Sequence, residues 1–323
     1  MIRKIPSKCG IIDFVGRLKL GVFSMIIILF IATYAAYGSS FSDENNAAKA
    51  KSSAKKCLEF YSLARYEQCL QCANDALANN PDDYLAWQVK AMALGSLGRR
   101  IDEAMDSFNK SLEINPDNAL AWLSKATIFY GQGHIPQAIE CYDRALKADP
   151  EFAAAWGSKG NALKSLGRYE DAISCYEKYI QLEPNDPLGW RLKGKALSNL
   201  ARYEEGLSCF EQALRIKPSD ADSWIGKGNS LEYLERYTEA LECYETALQI
   251  NRDLALAWGG KGNALTKIGR YNEALDCYNQ ALQINPRLDT AWCNKGIVHE
   301  ALGQIWEAEQ AFARAMELGM VCD

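Results

Sequence analysis

Residues 153–186 read AAAWGSKGNALKSLGRYEDAISCYEKYIQLEPND, and the same frame recurs along the chain. Its clearest mark is tryptophan: Trp87, Trp122, Trp156, Trp190, Trp224, Trp258 and Trp292 stand 34 residues apart, except for a first step of 35. A fixed period of this size signals a repeat array, because each unit is long enough for two short helices but too short to bury a core alone. With the tryptophan set at position 4, position 8 is always small: Ala91, Ala126, Gly160, Gly194, Gly228, Gly262 and Gly296. Position 20 is small as well (Ala104, Ala138, Ala172, Gly206, Ala240, Ala274, Ala308), and position 24 is aromatic (Phe108, Tyr142, Tyr176, Phe210, Tyr244, Tyr278, Phe312). Small residues at 8 and 20 let two helices approach closely, and the aromatics fill the space between hairpins.

The ends of the helices are marked too. Gly98, Gly133, Gly167, Gly269 and Gly303 fall where the first helix must stop, since glycine adopts the left-handed conformation at little cost. Glu103, Asp171, Glu205, Glu239, Glu273 and Glu307 meet the positive end of the second helix, and Pro116, Pro150, Pro184, Pro218 and Pro286 close the units. The tryptophans read as core, so Trp190→Ala is expected to cost roughly 3 to 5 kcal/mol. The 35-residue step comes from an extra arginine at 99 or 100, which is expected in the turn between helices.

These columns resemble the tetratricopeptide repeat (TPR) family, whose pattern is bulky at 4, small at 8 and 20, aromatic at 24 and proline at 32. The resemblance covers residues 50–323, in eight units starting at 50, 84, 119, 153, 187, 221, 255 and 289. It implies an all-α fold, a right-handed solenoid of about eight stacked antiparallel helix hairpins, the TPR superhelix; the sequence ahead of it reads as one N-terminal hydrophobic helix. The first unit has Ser53 in place of tryptophan, although Tyr66, Ala76 and Pro81 keep the frame. In the last unit Glu309 replaces the apolar residue of position 21, which reads as a polar cap on the terminal repeat. Phe312 and Met316 are expected to stay partly exposed there, leaving a route to weak self-association.

Ahead of the array, residues 20–42 carry no charge and include Met25-Ile26-Ile27-Ile28-Leu29-Phe30-Ile31. A spanning helix needs about 20 mostly apolar residues, and a secretory core is shorter, about 7 to 15. Residues 20–38 are therefore expected to be a transmembrane signal anchor, with a cleaved signal peptide as the alternative. Arg3, Lys4, Lys8, Arg17 and Lys19 precede the run and Asp43 and Glu44 follow it, which places residues 1–19 in the cytoplasm. Residues 39–49 read as a linker, and the array would then lie outside the cytoplasm in a single-pass membrane protein. A secreted array is the alternative localisation.

Net charge is −5 over 323 residues, and the basic residues of the first 38 leave the array more acidic still. That balance lacks the basic, aromatic-rich stripe of a nucleic-acid surface, so no nucleic-acid partner is expected. Of the eleven cysteines, Cys72, Cys141, Cys175, Cys209, Cys243 and Cys277 share position 23 and read as small buried hydrophobes. Cys57 and Cys69 differ: they hold positions 8 and 20 of one hairpin, where the helices touch most closely. A disulfide between them is admissible, with plain packing as the alternative. The single CxxC at Cys69–Cys72 lacks the further ligands zinc needs, and His134 and His299 have no nucleophilic partner at a repeat-consistent distance. No metal, no cofactor and no catalytic activity are expected. Lysine recurs at position 7 (Lys90, Lys125, Lys159, Lys193, Lys227, Lys261, Lys295); laying its stem across the tryptophan ring is favoured over an anion-binding ladder.

In the family, first helices line a concave groove through positions 2, 5, 9, 12 and 13. By that resemblance the groove residues are Tyr130, Asn161, Lys164, Arg191, Lys195, Asn229, Tyr233, Asn263 and Lys267. Its N-terminal part would be apolar, with Leu85, Met92, Leu120 and Leu123. The asparagines at position 9 either pair with an extended peptide backbone or belong simply to the repeat consensus. The expected function is a non-catalytic protein-interaction scaffold that binds a protein or extended peptide in the groove of a membrane-tethered array. A structural, self-associating surface or secreted assembly protein is the alternative.

Overall fold

The computed structural model describes residues 56–98 and 100–322. The cytoplasmic segment 1–19, the hydrophobic helix 20–38 and the linker 39–49 lie outside the described residues. Among the described residues there are sixteen helices and no strand, and no helix is long and apolar enough to cross a membrane.

The helices fall into two compact units, divided between Leu166 and Gly167. The first contains α1 (56–62), α2 (Tyr66–Asn79), α3 (Tyr84–Leu97), α4 (Ile101–Ile114), α5 (Ala119–Gly131), α6 (Ile135–Ala148) and α7 (Ala153–Ser165). The second contains α8 (Tyr169–Leu182), α9 (Pro187–Asn199), α10 (Tyr203–Ile216), α11 (Ala221–Tyr233), α12 (Tyr237–Ile250), α13 (Ala255–Lys267), α14 (Tyr271–Ile284), α15 (Asp289–Ala301) and α16 (Ile305–Glu317). In each, consecutive helices pack as hairpins and each hairpin packs on the next.

The turns follow from local chemistry. The glycines expected to end the first helices all take left-handed backbone, from φ 67° at Gly98 to φ 80° at Gly133 and Gly269. Three hairpins make the same turn without glycine, at Ala64 (φ 55°), Ala201 (φ 57°) and Glu235 (φ 59°). Arg100 caps α4, which begins at Ile101, so the 35-residue step is taken up between α3 and α4. The acids of the second helices also have partners that the sequence reading did not name. Arg202, Arg236 and Arg270 each precede a helix and clamp the acid three residues on, Glu205, Glu239 and Glu273. Between repeats, Asn251 and Asn285 accept through Oδ1 from the backbone N–H two residues later, at 2.9 and 3.2 Å, an Asx turn that starts the next hairpin.

Packing puts the aromatic of position 24 at the centre of the core. Tyr244 is fully buried between two glycines. A Cβ on Gly228, in its own hairpin, would stand 2.8 Å from the ring, and one on Gly260, in the next hairpin, 2.5 Å. The tryptophans behave differently from a core column: all seven are only half-buried. They act as pegs, with the indole N–H of Trp87, Trp122, Trp156, Trp224 and Trp292 donating to the carbonyl of the proline six residues earlier at 2.8–2.9 Å. A polar atom that must reach a backbone carbonyl in the inter-repeat turn keeps that edge of the ring near water.

The array's ends depart from expectation twice. Cys57 is bonded to Cys72, not to Cys69, which stays a buried free thiol. Cys72 lies one helical turn beyond Cys69 and brings its Cα to 5.4 Å from that of Cys57, inside the range a disulfide requires. Cys72 therefore leaves the position-23 column, whereas Cys141, Cys209, Cys243 and Cys277 remain free. A second disulfide, Cys293–Cys322, ties the residues after α16 back to α15. At the last hairpin Glu309 is exposed, yet Met316 is 65% exposed where its counterparts Leu214, Leu248 and Leu282 are 6–8%. Beside Glu309, the last helix also exposes Ile305 and Trp306.

Candidate binding surface

Successive helical residues turn by about 100°, so positions 2, 9 and 13 of a first helix share one face, and 5 and 12 sit nearer the packed side. In the first unit Gln88 and Leu123, at position 5, are buried, and so is Met92 at position 9, while Leu85 and Leu120 are half-buried; of the apolar N-terminal stretch expected in the groove, Met92 and Leu123 belong to the core. Gln88 is held there by Asn118, whose Nδ2 donates to Oε1 at 2.8 Å. Tyr130 is half-buried and its hydroxyl lies 2.9 Å from that of Ser165; Asn161 and Lys164 are half-buried on α7.

In the second unit Arg191 is not a free cation. Its guanidinium pairs with Asp222 and, at 3.5 Å, with Asp220, clamping α9 to the start of α11. Lys195, Asn229, Tyr233 and Lys267 are exposed, and Leu256 joins them at position 2 of α13. Tyr233 stacks on Tyr203, the ring centroids 4.5 Å apart and nearly parallel. Desolvation holds the Lys195 ammonium below its ordinary pKa, with Asp222 opposing that shift and Arg191 adding to it.

The asparagines have internal work. The hydroxyl of Tyr244 lies 2.7 Å from Asn229 Oδ1 and 3.0 Å from the carboxylate of Glu232. Tyr278 donates to Asn263 Oδ1 at 2.9 Å, and Asn294 Nδ2 donates to the same oxygen at 2.7 Å. The buried tyrosines thus send their hydroxyls to position 9, and the asparagine oxygens satisfy them. Glu232, absent from the sequence reading, is the strained member of this network. Burial raises its pKa, opposed by hydrogen bonds from Tyr244 and Asn263 and by the charge of Lys267. One tyrosine proton cannot serve two acceptors at once, so Asn229 Oδ1 and the Glu232 carboxyl compete for it.

The lysine column is accounted for in the same way. Lys90, Lys125, Lys159, Lys227, Lys261 and Lys295 lie 5.0–5.9 Å from the ring centre of their own tryptophan. Four members of the column also reach back sixteen residues to an acid: Lys159–Asp143, Lys193–Glu177, Lys227–Glu211 and Lys261–Glu245 pair at 2.7–3.1 Å. Acids at position 25 were the available signal. Burial pushes the thiols of Cys141, Cys209, Cys243 and Cys277 up to about 11, away from the reactive thiolate. Among the described residues no three metal-binding side chains gather.

Fold and surface together define a helical-hairpin repeat protein that presents side chains from successive first helices. Sequence profiles described as tetratricopeptide repeat or TPR repeat match residues 84–118, 123–187, 190–220, 221–254, 262–303 and 289–318. The chain belongs to the tetratricopeptide repeat family. Proteins of this family are generally interaction scaffolds rather than enzymes. No curated protein matches the chain. Among solved structures it is similar to the APC/C hetero-tetramer Cut9–Hcn1, at 17% identity over 85% of this chain and TM-score 0.60; it spans about half (54%) of that chain. It is also similar to the C-terminal part of a TPR repeat-containing protein from Cytophaga hutchinsonii, at 17% identity over 75% of this chain and 98% of that one, TM-score 0.59. A third is Pseudomonas aeruginosa pilF, at 18% identity over 62% and 91% of the two chains, TM-score 0.55. At these identities the likeness is one of fold.

Proposed function

We infer that the chain is a non-catalytic scaffold that binds a protein or extended peptide segment across its first helices, with the array tethered outside the cytoplasm by residues 20–38. The observation that carries the reading is the exposed set Lys195, Asn229, Tyr233, Leu256 and Lys267. It mixes cations, an amide and large apolar groups on three successive first helices, as contacts with a single extended partner would need. Asn263 borders this set, and in the first unit Tyr130, Asn161 and Lys164 are a separate candidate set. Two disulfides accord with an oxidising, extracytoplasmic setting, whether the array is anchored or secreted.

The test is cross-linked capture from the membrane fraction, comparing the parent chain with a Lys195→Glu, Lys267→Glu variant whose helicity is checked by circular dichroism. Arg191 is left intact because its pairs with Asp220 and Asp222 make it part of the packing. A partner held by the parent and lost by the variant supports the reading; equal capture by both removes it.

A second reading, a self-associating structural element, is favoured by Ile305, Trp306, Met316 and Val321, which are 56–75% exposed on the last hairpin and the residues after it. Sedimentation without any ligand separates the two, since only this reading predicts assembly that grows with concentration.

A further inference from the structure

The disulfides are not scattered through the repeats. Both sit in the outermost hairpins of the described residues, one in the first and one in the last. Cys57–Cys72 crosses from α1 to α2 and closes a span of 15 residues, and Cys293–Cys322 links α15 to the residues after α16 over a span of 29. The interior hairpins hold cysteine at the same repeat position as Cys72, and there Cys141, Cys209, Cys243 and Cys277 are free. We propose that the two disulfides are redox-sensitive end locks, which stop the terminal hairpins from fraying in an oxidising compartment and release them under reducing conditions.

The physical need comes from the architecture. In a linear array each unit is stabilised by its own fold and by its interfaces, and an end unit lacks one interface. In the first hairpin, among the described residues, the hydroxyl of Tyr61 on α1 lies 2.9 Å from that of Ser96 on α3. At the other end the residues after α16 turn at Gly319 (φ 95°), Met320 N–H donates to the Ala315 carbonyl, and Val321 is 75% exposed. In both places a covalent tie adds to the packing within the hairpin, and at the last one it does so where Ile305, Trp306 and Met316 lie exposed. The first lock also has a built-in competitor, since Cys69 is one turn from Cys72 on the same helix. Cys69 is fully buried and its thiol is pushed up to about 12, so almost none of it is the thiolate that could attack the bond.

The chemistry balances by exchange. In closing, the Cys57 and Cys72 thiols pass two electrons and two protons to an incoming dithiol-oxidant disulfide, which leaves as two thiols; Cys293 and Cys322 do the same. Opening is the reverse, with a dithiol as reductant.

The experiment takes the purified full chain, isolated without reductant. Free thiols are alkylated, linked peptides are mapped by mass spectrometry, and hydrogen exchange is measured with and without a phosphine reductant. Linked peptides carrying Cys57–Cys72 and Cys293–Cys322 are expected, and reduction should raise exchange about 10- to 100-fold in α1–α2 and in α15 to residue 322. Helices α10 to α13 should not change. Free thiols at all four positions, unchanged exchange on reduction, or an equal rise through the whole array would each overturn the proposal. A Cys57→Ser, Cys72→Ser variant should reproduce the N-terminal change alone; if it does not fold, the reductant titration of the parent chain decides by itself.

Discussion

The indole nitrogen of Trp224 donates to the carbonyl oxygen of Pro218 at 2.8 Å, so one tryptophan locks the turn that joins its hairpin to the one before. The ring is half-buried, and its face carries Lys227 at 5.7 Å. Trp224→Phe keeps an aromatic ring but loses the bond and part of the indole, which should cost about 1 to 2 kcal/mol. Trp224→Ala should cost about 2 to 3 kcal/mol, less than a fully buried tryptophan would. Urea unfolding midpoints measure both, and an unchanged midpoint for Trp224→Phe would show that the bond contributes nothing.

Lys227 also pairs with Glu211 at 3.1 Å, with 23% and 40% of the two side chains exposed. Such a pair couples adjacent hairpins weakly, because water screens it. A double-mutant cycle through Lys227→Met and Glu211→Gln should give a coupling of about 0.5 kcal/mol that fades at high salt. A coupling that persists undiminished in molar salt would mean the contact is packing and not charge.

How much of this was legible in the sequence depends on the range of the interaction. The column of Tyr244 and the small residues at Gly228 and Ala240 could be read because each recurs at one fixed spacing and has one packing role. The sixteen-residue step from Glu211 to Lys227 was equally periodic, but it joins different hairpins and shows only once their register is known. The end cysteines were the hardest to read. Cys57 has two candidate partners one turn apart on α2, and choosing Cys72 over Cys69 takes Cα positions that spacing does not supply. Asn229 was ambiguous for another reason: its oxygen meets the hydroxyl of Tyr244, a contact that repeat spacing does not show, while the residue itself stays exposed.

Glu235 holds a left-handed backbone, φ 59°, where five other hairpins use glycine. A side chain in that conformation costs about 1 to 2 kcal/mol, and glycine's greater freedom when unfolded returns about 0.5 to 1 of it. Glu235→Gly should therefore stabilise the protein by about 0.5 to 1 kcal/mol, and Ala201→Gly likewise. Thermal melts check this, and a lower Tm for both would contradict the backbone assignment.

The pKa of Glu232 is raised in the fold, chiefly by desolvation. The folded protein then holds a proton that the unfolded chain gives up, so stability falls as pH rises from the ordinary carboxyl range through the raised pKa. Glu232→Gln removes that dependence while keeping an acceptor for Tyr244. The variant should melt above the parent at neutral pH, and the gap should close on acidification to the point where Glu232 is protonated in both states. A gap independent of pH would rule out titration of this group as the cause.

Adjacent glycines in α13 should respond to the same substitution with opposite signs. A Cβ on Gly259 would meet only Leu288, at 3.8 Å, an ordinary contact in open space. Alanine there gains about 1 kcal/mol of helix stability, because glycine in a helix interior loses more freedom on folding than alanine does. A Cβ on Gly260 would stand 2.5 Å from Cζ of Tyr244, a ring fully buried against Gly228 on its other side with no room to retreat. The clash outweighs the propensity gain, and Gly260→Ala should lose about 1 to 3 kcal/mol. Both variants lie in one helix and differ by one step, so composition and solvent effects cancel in the comparison. Two shifts of the same sign in a denaturant melt would mean that α13 does not pack on Tyr244 through Gly260.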